Sequence, residues 1–362
     1  MRLPEPTTEP SSAPSASPGP SLTSRRLEVD GDVVAFTKLA TDAGWGDGLP
    51  LVPPTPDLVG GHVAASGRPA DHLLAELPPR QGACTVEKLA VNAVMAGAPA
   101  AAMPLLCAAV DAMADPEFDL FALNTTTSCV VPALFVNGPA RHELDIPYAA
   151  GCFGGQAGPA PAIGRALRLV MRNVGGQVVG VSSKSVFGQP GRVVGMVVAE
   201  WEERSPWAPF AERRGVPGNA VTVYGAVGTM DVADIVADTG AVLAELVGRS
   251  IAYMGTNAFL SPYGAEVLVC LAPPWADLIA ADHPTIEEVQ ERLWHHAALP
   301  LDWFPAPHRT RLERDQRVHD DGRVHLVPAP DDVLVLVCGG LGNLHALALH
   351  NFGPTYAVTR PF

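Results

Sequence analysis

Cys152 sits in the run Gly151-Cys152-Phe153-Gly154-Gly155-Gln156-Ala157-Gly158, and the helix-forming stretch that follows carries Arg165, Arg168 and Arg172. Glycines allow left-handed backbone and close approach to a ligand, and free N–H groups at a helix start favour an anion. Arginines at i, i+3 and i+7 share one helix face, with Ile163, Leu167, Val170 and Val174 on the opposite one. Two readings of this stripe are open: a solvated or ion-paired face, or bidentate capture of a carboxylate or phosphate. In the second, Arg165 and Arg172 with Asn173 converge on one anion, while the N–H groups of Gly154 and Gly155 meet developing negative charge. Cys152, between glycines and near positive charge, is then the thiol with a lowered pKa and the candidate nucleophile. Lys88 is the other candidate, as a buried base or as a snorkelling surface lysine.

Further polar positions cluster at the ends of apolar runs. Asn137 closes the strand-like Val130–Val136 run at an Asn-Gly-Pro turn and is a candidate ligand contact. The cluster Asn124–Cys129 precedes that run and reads either as a turn cap or as part of a site. Cys338-Gly339-Gly340-Leu341-Gly342-Asn343 forms a second glycine loop, with His345 and His350 beyond it on an expected helix, where their spacing puts them on diverging faces. No HExxH spacing occurs, so no metal site is expected. GxGxxG, GK[ST] and GxSxG are also missing from the sequence, which disfavours a dinucleotide fold, a P-loop and a serine hydrolase. Only Lys38, Lys88 and Lys184 are available as Schiff-base anchors, and nothing in the sequence fixes a cofactor.

The elements that must position these residues belong to a chain of 362 residues with 24 basic against 38 acidic side chains, a net charge of −14. Such a chain has no global attraction for nucleic acid or anionic lipid, and no basic run supplies a local one. Hydrophobic residues at 48% against 17% charged are enough for one large or two medium domains. The six cysteines are scattered without a CxxC pair, the pattern of reduced thiols in a cytoplasmic protein. Residues 1–27 are rich in Pro, Ser and Thr and are expected to be a disordered leader; Arg25-Arg26 lacks the apolar stretch an export signal needs. Leu89–Val110 is uncharged, but its alanines, Asn92, Pro99 and Pro104 suit a pair of buried helices better than a membrane span.

Apolar periodicity predicts helices over 33–44, over 85–98 with Thr85 as N-cap, from Pro99 to Met113 and over 161–174. The prolines at 50, 53, 54 and 56 predict an extended strap anchored by Trp45, read as a surface strap or as a segment lining a site. Strands are predicted at 130–136, where Pro132 implies an edge or a strand start, and in VVGMVVAEW, AVTVYGAV, EVLVCLAP and DVLVLVCGG, the last being the final strand. DVADIVADTGAVLAELVG reads as a helix broken near Gly240, and TIEEVQERLWHHA as a helix with His295-His296 on its surface. The fold class is therefore α/β, as two α/β halves over 28–200 and 201–362. A hypothesis of internal duplication pairs Thr85-Val-Glu-Lys-Leu with Thr285-Ile-Glu-Glu-Val, and Asn137-Gly138 with Cys338-Gly339.

Asp47-Gly-Leu-Pro-Leu-Val-Pro-Pro-Thr55, Glu87-Lys88-Leu-Ala-Val-Asn92-Ala-Val-Met-Ala-Gly97, Val136-Asn137-Gly138-Pro139, Ile163-Gly-Arg165-Ala-Leu-Arg168-Leu and Asn173-Val-Gly175-Gly176 resemble a largely uncharacterised bacterial family. So do Gly188-Gln-Pro190-Gly191, Ser205-Pro206-Trp207 and the closing Thr359-Arg360-Pro361. The family is associated with neighbours carrying a Cys/Sec-Gly-Ser-Cys motif, and the resemblance spans most of 45–362. It implies an enzyme or enzyme component in thiol-linked small-molecule metabolism. Gly158-Pro-Ala-Pro161 departs from the more polar, Asn-rich lead expected before the arginine helix. The expectation is an enzyme, homo-oligomeric, acting on a small anionic metabolite by lyase-type or thiol-dependent cleavage. The alternatives are a non-catalytic partner subunit of a thiol-bearing enzyme and a small-anion binding module.

Overall fold

Alternation along the strands sorts the apolar side chains into three core clusters. In the computed structural model, residues 21–362 are described, except 30, 260, 262–264 and 354. The strands run in chain order as β1 Leu73–Leu77, β2 Gly82–Thr85, β3 Val131–Asn137, β4 Met196–Ala199, β5 Ala220–Ala226 and β6 Met230–Ala233. They continue as β7 Val267–Leu271, β8 Ala298–Pro300, β9 Arg323–His325, β10 Val333–Val337, β11 His345–His350 and β12 Val358–Pro361. One four-stranded sheet has the order β12-β5-β3-β4 and another the order β10-β7-β11-β6, while β1-β2 and β8-β9 are two-stranded.

Leu134, Val136, Val197, Ala199, Val221 and Val223 of the first sheet face the helices Val86–Ala96, Met103–Met113 and Ala160–Asn173. Ala133, Phe135, Val198 and Tyr224, on the other face, meet Leu268, Cys270, Leu334, Leu336 and Leu349 of the second sheet. Val267, Val269, Val333 and Val335 face outward against the helices Gly240–Ile251, Pro273–Asp282 and Ile286–His296. The layers are therefore helix, sheet, sheet, helix, an α/β architecture in which strands buried on both faces read as continuous apolar runs. The uncharged stretch 89–110 folds as two buried helices, and among the described residues no helix is long and apolar enough to cross a membrane.

The two sheets share one pattern. β3 and β4 are parallel, as are β7 and β10, and each parallel pair is followed by an antiparallel strand, β5 beside β3 and β11 beside β7. Each sheet is completed from the other: β6 follows β5 in sequence but pairs with β11, and β12 follows β11 but pairs with β5. By place, β3 corresponds to β7 and β4 to β10. The duplication hypothesis instead matched Asn137, at the end of central β3, with Cys338, after edge strand β10. The sheets do not follow that pairing, although Thr85 and Thr285 both cap helices by accepting N–H groups of Lys88 and Glu288.

Several elements differ from the sequence expectations. Pro132 lies in a central strand, tolerated because β4 begins to pair only at Ala133. Residues 230–233 form β6 rather than helix; Asp234 then accepts from the N–H groups of Val236 and Ala237, and the helix starts at Gly240 behind the Thr239 cap. β10 is not the last strand: His345 and His350 lie on β11, where His350 Nε2 contacts Ile251 O at 2.8 Å. His296 is buried, and burial, then the charge of Arg292, lowers its pKa to about 4. Of the expected leader, 1–20 lie outside the described residues, but its end is held: Thr23 N and Oγ1 donate to Glu87 Oε2 at 3.0 Å each, and Ser24 N donates to Oε1 at 2.9 Å.

Candidate anion cleft under the arginine helix

Gly164 leaves no room for a side chain on the helix Ala160–Asn173, because a Cβ there would stand 2.4 Å from Val194 O. Gly195, at φ +70°, completes the close approach. This contact brings the turn Gly191–Val194, and Arg192 with it, against the helix one turn from Arg168.

Arg168 is 9% exposed. Its Nε donates to Arg192 O at 3.0 Å, its Nη1 to Met171 Sδ at 2.9 Å, and its Nη2 to Gln177 Oε1. Burial, then the charge of Arg192, pulls its pKa down to about 9, so it is cationic at neutral pH. Arg192 gives Nη2 to Ser183 Oγ at 2.9 Å, and its own pKa is lowered by burial. No ion pair involves either guanidinium among the described residues. Arg192 Nε, Gln177 Nε2 and Ser185 Oγ are buried without a hydrogen-bond partner among the described residues. Arg168, Arg192, Gln177 and Ser185, with Arg172, line a cleft of about 670 Å³ whose further walls include Leu169, Val179, Val186 and Phe187. An unpartnered buried polar atom costs about 1–3 kcal/mol, and three around one cleft are a set of donors without an acceptor.

The expected anion site is corrected at its centre. Arg165 does not face a ligand: its Nε and Nη2 hold the Asp47 carboxylate at 2.6 and 2.7 Å, while Nη1 and Nη2 reach the carbonyls of Pro50 and Leu49. Burial raises the Asp47 carboxyl, but Arg165 and the Leu49 N–H outweigh it and hold it below the usual carboxylate range. The strap is thus anchored by Arg165 and by Leu51, fully buried, rather than by Trp45, and its Asp47 lines the cleft rim. Arg172 donates Nε to Gly44 O at 3.2 Å and lines the cleft. Asn173 Nδ2 is bound to Asn92 Oδ1 at 2.8 Å and Trp45 O at 3.2 Å, tying the helix to its neighbour and to the strap.

The cysteine expectation is corrected as well. The arginine helix packs on the outer face of the first sheet, whereas Cys152 is buried on the inner face with Cys270 and Cys338, so no arginine of the stripe activates it. A hydrogen bond with Cys338, then burial, pushes the Cys152 thiol far above its usual value, opposite to a thiolate nucleophile. The two glycine loops do meet: Gly339 N donates to Tyr148 O at 2.7 Å, and a Cβ on Gly340 would lie 3.2 Å from Ala150 Cβ. Gly154 and Gly155 are exposed on that loop, away from the arginines that were expected beside them. Lys88 is exposed and donates Nζ to Ala83 O at 2.7 Å, the snorkelling alternative rather than the buried base.

Asn137 ends β3 beside Glu200, to which its Nδ2 donates at 2.6 Å; Phe210 N donates to the same Oε2 at 2.6 Å. Burial lifts Glu200 to about 7 despite these bonds, and its Oε1 has no partner among the described residues. Asn137 is thus a buried structural contact between strand ends. Sequence reasoning missed Arg192, Gln177 and Ser185. Only the Gly188-Gln-Pro-Gly turn before Arg192 stands out in the sequence, since none of the three lies on a periodic element. Among the described residues, no group of histidine, cysteine and carboxylate side chains is placed to hold a metal. The chain matches no protein-family model, and no curated protein matches it.

Proposed function

We infer that this chain binds a small anion in the cleft between the arginine helix and the 177–193 segment. One observation carries the reading: Arg168, bound to the Arg192 backbone, and Arg192 line one cleft, and among the described residues neither has a carboxylate partner while donors beside them are unpartnered. Two adjacent cations out of water repel, and an oxyanion between them removes the repulsion and fills the empty donor positions. Arg172 adds a third positive charge at the mouth. Of the sequence expectations, the anion-binding module is the one this geometry favours. Thiol-dependent cleavage of the same ligand is not favoured, because the cysteines lie across the sheet from the cleft.

The test is thermal unfolding in sulfate, acetate and chloride buffers at equal ionic strength, for wild type and Arg192→Gln. Sulfate or acetate should raise the midpoint of the wild type in a saturable way, and Arg192→Gln should remove most of that rise. Equal midpoints in all three salts would end the reading.

A further inference from the structure

The cleft is far larger than an oxyanion needs, and the remainder of its lining has a different chemistry. Leu169, Val179, Val186, Phe187, Pro190 and Val193 line it alongside the arginines. Phe187 is 97% exposed, Val186 68% and Val179 65%. These side chains are not on a loose tail: Val186 N donates to Thr127 O at 3.0 Å, Gly180 N to Ser183 O at 2.9 Å, and Ser182 Oγ to Gly176 O at 2.6 Å. A fixed turn therefore holds a phenyl ring and two valines in water at the rim of a cationic cleft. The volume, about 670 Å³, falls in the range of sites that enclose a metabolite with a body as well as a head.

We propose that the ligand of this cleft is an amphiphilic monocarboxylate, its head on Arg168, Arg192 and Gln177 and its aromatic or branched aliphatic body against Val179, Val186 and Phe187. This rests on the anion reading above and extends it to a substrate class. A carboxylate fits better than a phosphate for two reasons, one on the same helix and one at the rim. Arg165, one turn before Arg168, already takes a carboxylate through two N–H groups, at 2.6 and 2.7 Å. Asp47 also lines the rim, and its negative charge disfavours a dianion more than a monoanion. The apolar body supplies the discrimination: covering an exposed phenyl and two valines is worth roughly tenfold to a hundredfold in affinity.

Calorimetric titration of acetate, isovalerate, phenylacetate and phenyl phosphate into wild type, Phe187→Ser and Arg192→Gln tests it. Phenylacetate and isovalerate should bind wild type at least about tenfold tighter than acetate. Phe187→Ser, at a position already in water, should collapse that ratio, and Arg192→Gln should weaken all the carboxylates. Equal affinity for acetate and phenylacetate, with both weakened by Arg192→Gln, overturns the amphiphile and leaves the anion reading standing. Failure of every ligand to bind removes both. Phenyl phosphate binding more tightly than phenylacetate overturns the carboxylate class. Sedimentation supplies the remaining outcome: self-association abolished by Phe187→Ser, without tail discrimination, makes the apolar turn an interface between copies and overturns the proposal.

Discussion

Arg168 donates from Nε to the backbone carbonyl of Arg192 at 3.0 Å, so its guanidinium is fixed against the backbone of a second arginine whose charge it feels. The arrangement costs folding energy unless something negative arrives, and this makes the cost measurable. Arg168→Met keeps the stem volume and removes the buried charge. In chloride buffer the variant should unfold at the same urea concentration as wild type or a higher one, with a gain of up to about 1–2 kcal/mol. In sulfate the ranking should reverse, because only wild type gains from the anion. A loss of about 3 kcal/mol in chloride would make Arg168 a strut instead of a ligand group.

Arg165, on the same helix, and Asp47, on the strap, are the contrasting pair. Both side chains are mostly buried and they share two N–H···O contacts, so the pair holds the strap rather than a ligand. Arg165→Ala leaves Asp47 without its partner and frees the carbonyls of Leu49 and Pro50. The expected loss is about 3 kcal/mol, together with proteolytic cutting between Trp45 and Thr55 in the native protein. Urea melts and limited proteolysis read both. An intact strap in Arg165→Ala would mean that Leu51 alone anchors it.

Those two pairs show what the sequence could and could not reveal. The stripe Arg165, Arg168 and Arg172 was legible because helical period is local, and so were the buried helix pair and most strands. Which arginine would be consumed internally was not legible, because Asp47 lies over a hundred residues upstream and Arg192 is on a four-residue turn without period. The thiol expectation failed for a related reason. Gly151-Cys152 looks like an exposed reactive turn, but whether its side chain faces the arginine helix or the second sheet is decided by the layering. β6 was read as helix because four residues on a sheet edge are too few to establish alternation, and the strand exists through its pairing with β11.

Gly164 carries a position-specific prediction. A methyl group there would press on Val194 O at 2.4 Å and on Gly195 Cα at 3.0 Å, both backbone atoms that cannot rotate away. Gly164→Ala should push the 191–194 turn off the helix, costing about 2–3 kcal/mol and separating Arg192 from Arg168. Alanine is the better helix former, so a stabilised variant would show that the close approach is dispensable.

The six cysteines make a simple chemical forecast. Cys129 is the only one not buried, and its Sγ sits 2.8 Å from Val227 O; Cys84 and Cys107 are pushed up by burial to about 12 and about 11. Alkylation of the native protein at neutral pH, followed by peptide mass spectrometry, should modify Cys129 first and leave Cys152, Cys270 and Cys338 intact. Rapid labelling of Cys152 would contradict its placement between the sheets and reopen a catalytic role for it.

Glu200 sets the direction of the pH dependence. Unfolded, it ionises near 4.5, whereas burial raises it to about 7 in the folded protein. Between those values the native state holds a proton that the unfolded state has released, so stability from this group falls as pH rises through that window and levels off above it. The full difference corresponds to roughly 3 kcal/mol, taking about 1.4 kcal/mol per pH unit. Glu200→Gln keeps an acceptor for Phe210 N and carries no charge. It should match wild type near pH 5, where the carboxyl is mostly protonated in the fold, and exceed it at pH 8 in urea unfolding. An advantage that is the same at both pH values would show that Glu200 stays ionised in the native protein. It would then be compensated by Arg213, whose charge opposes the shift, more strongly than burial penalises it.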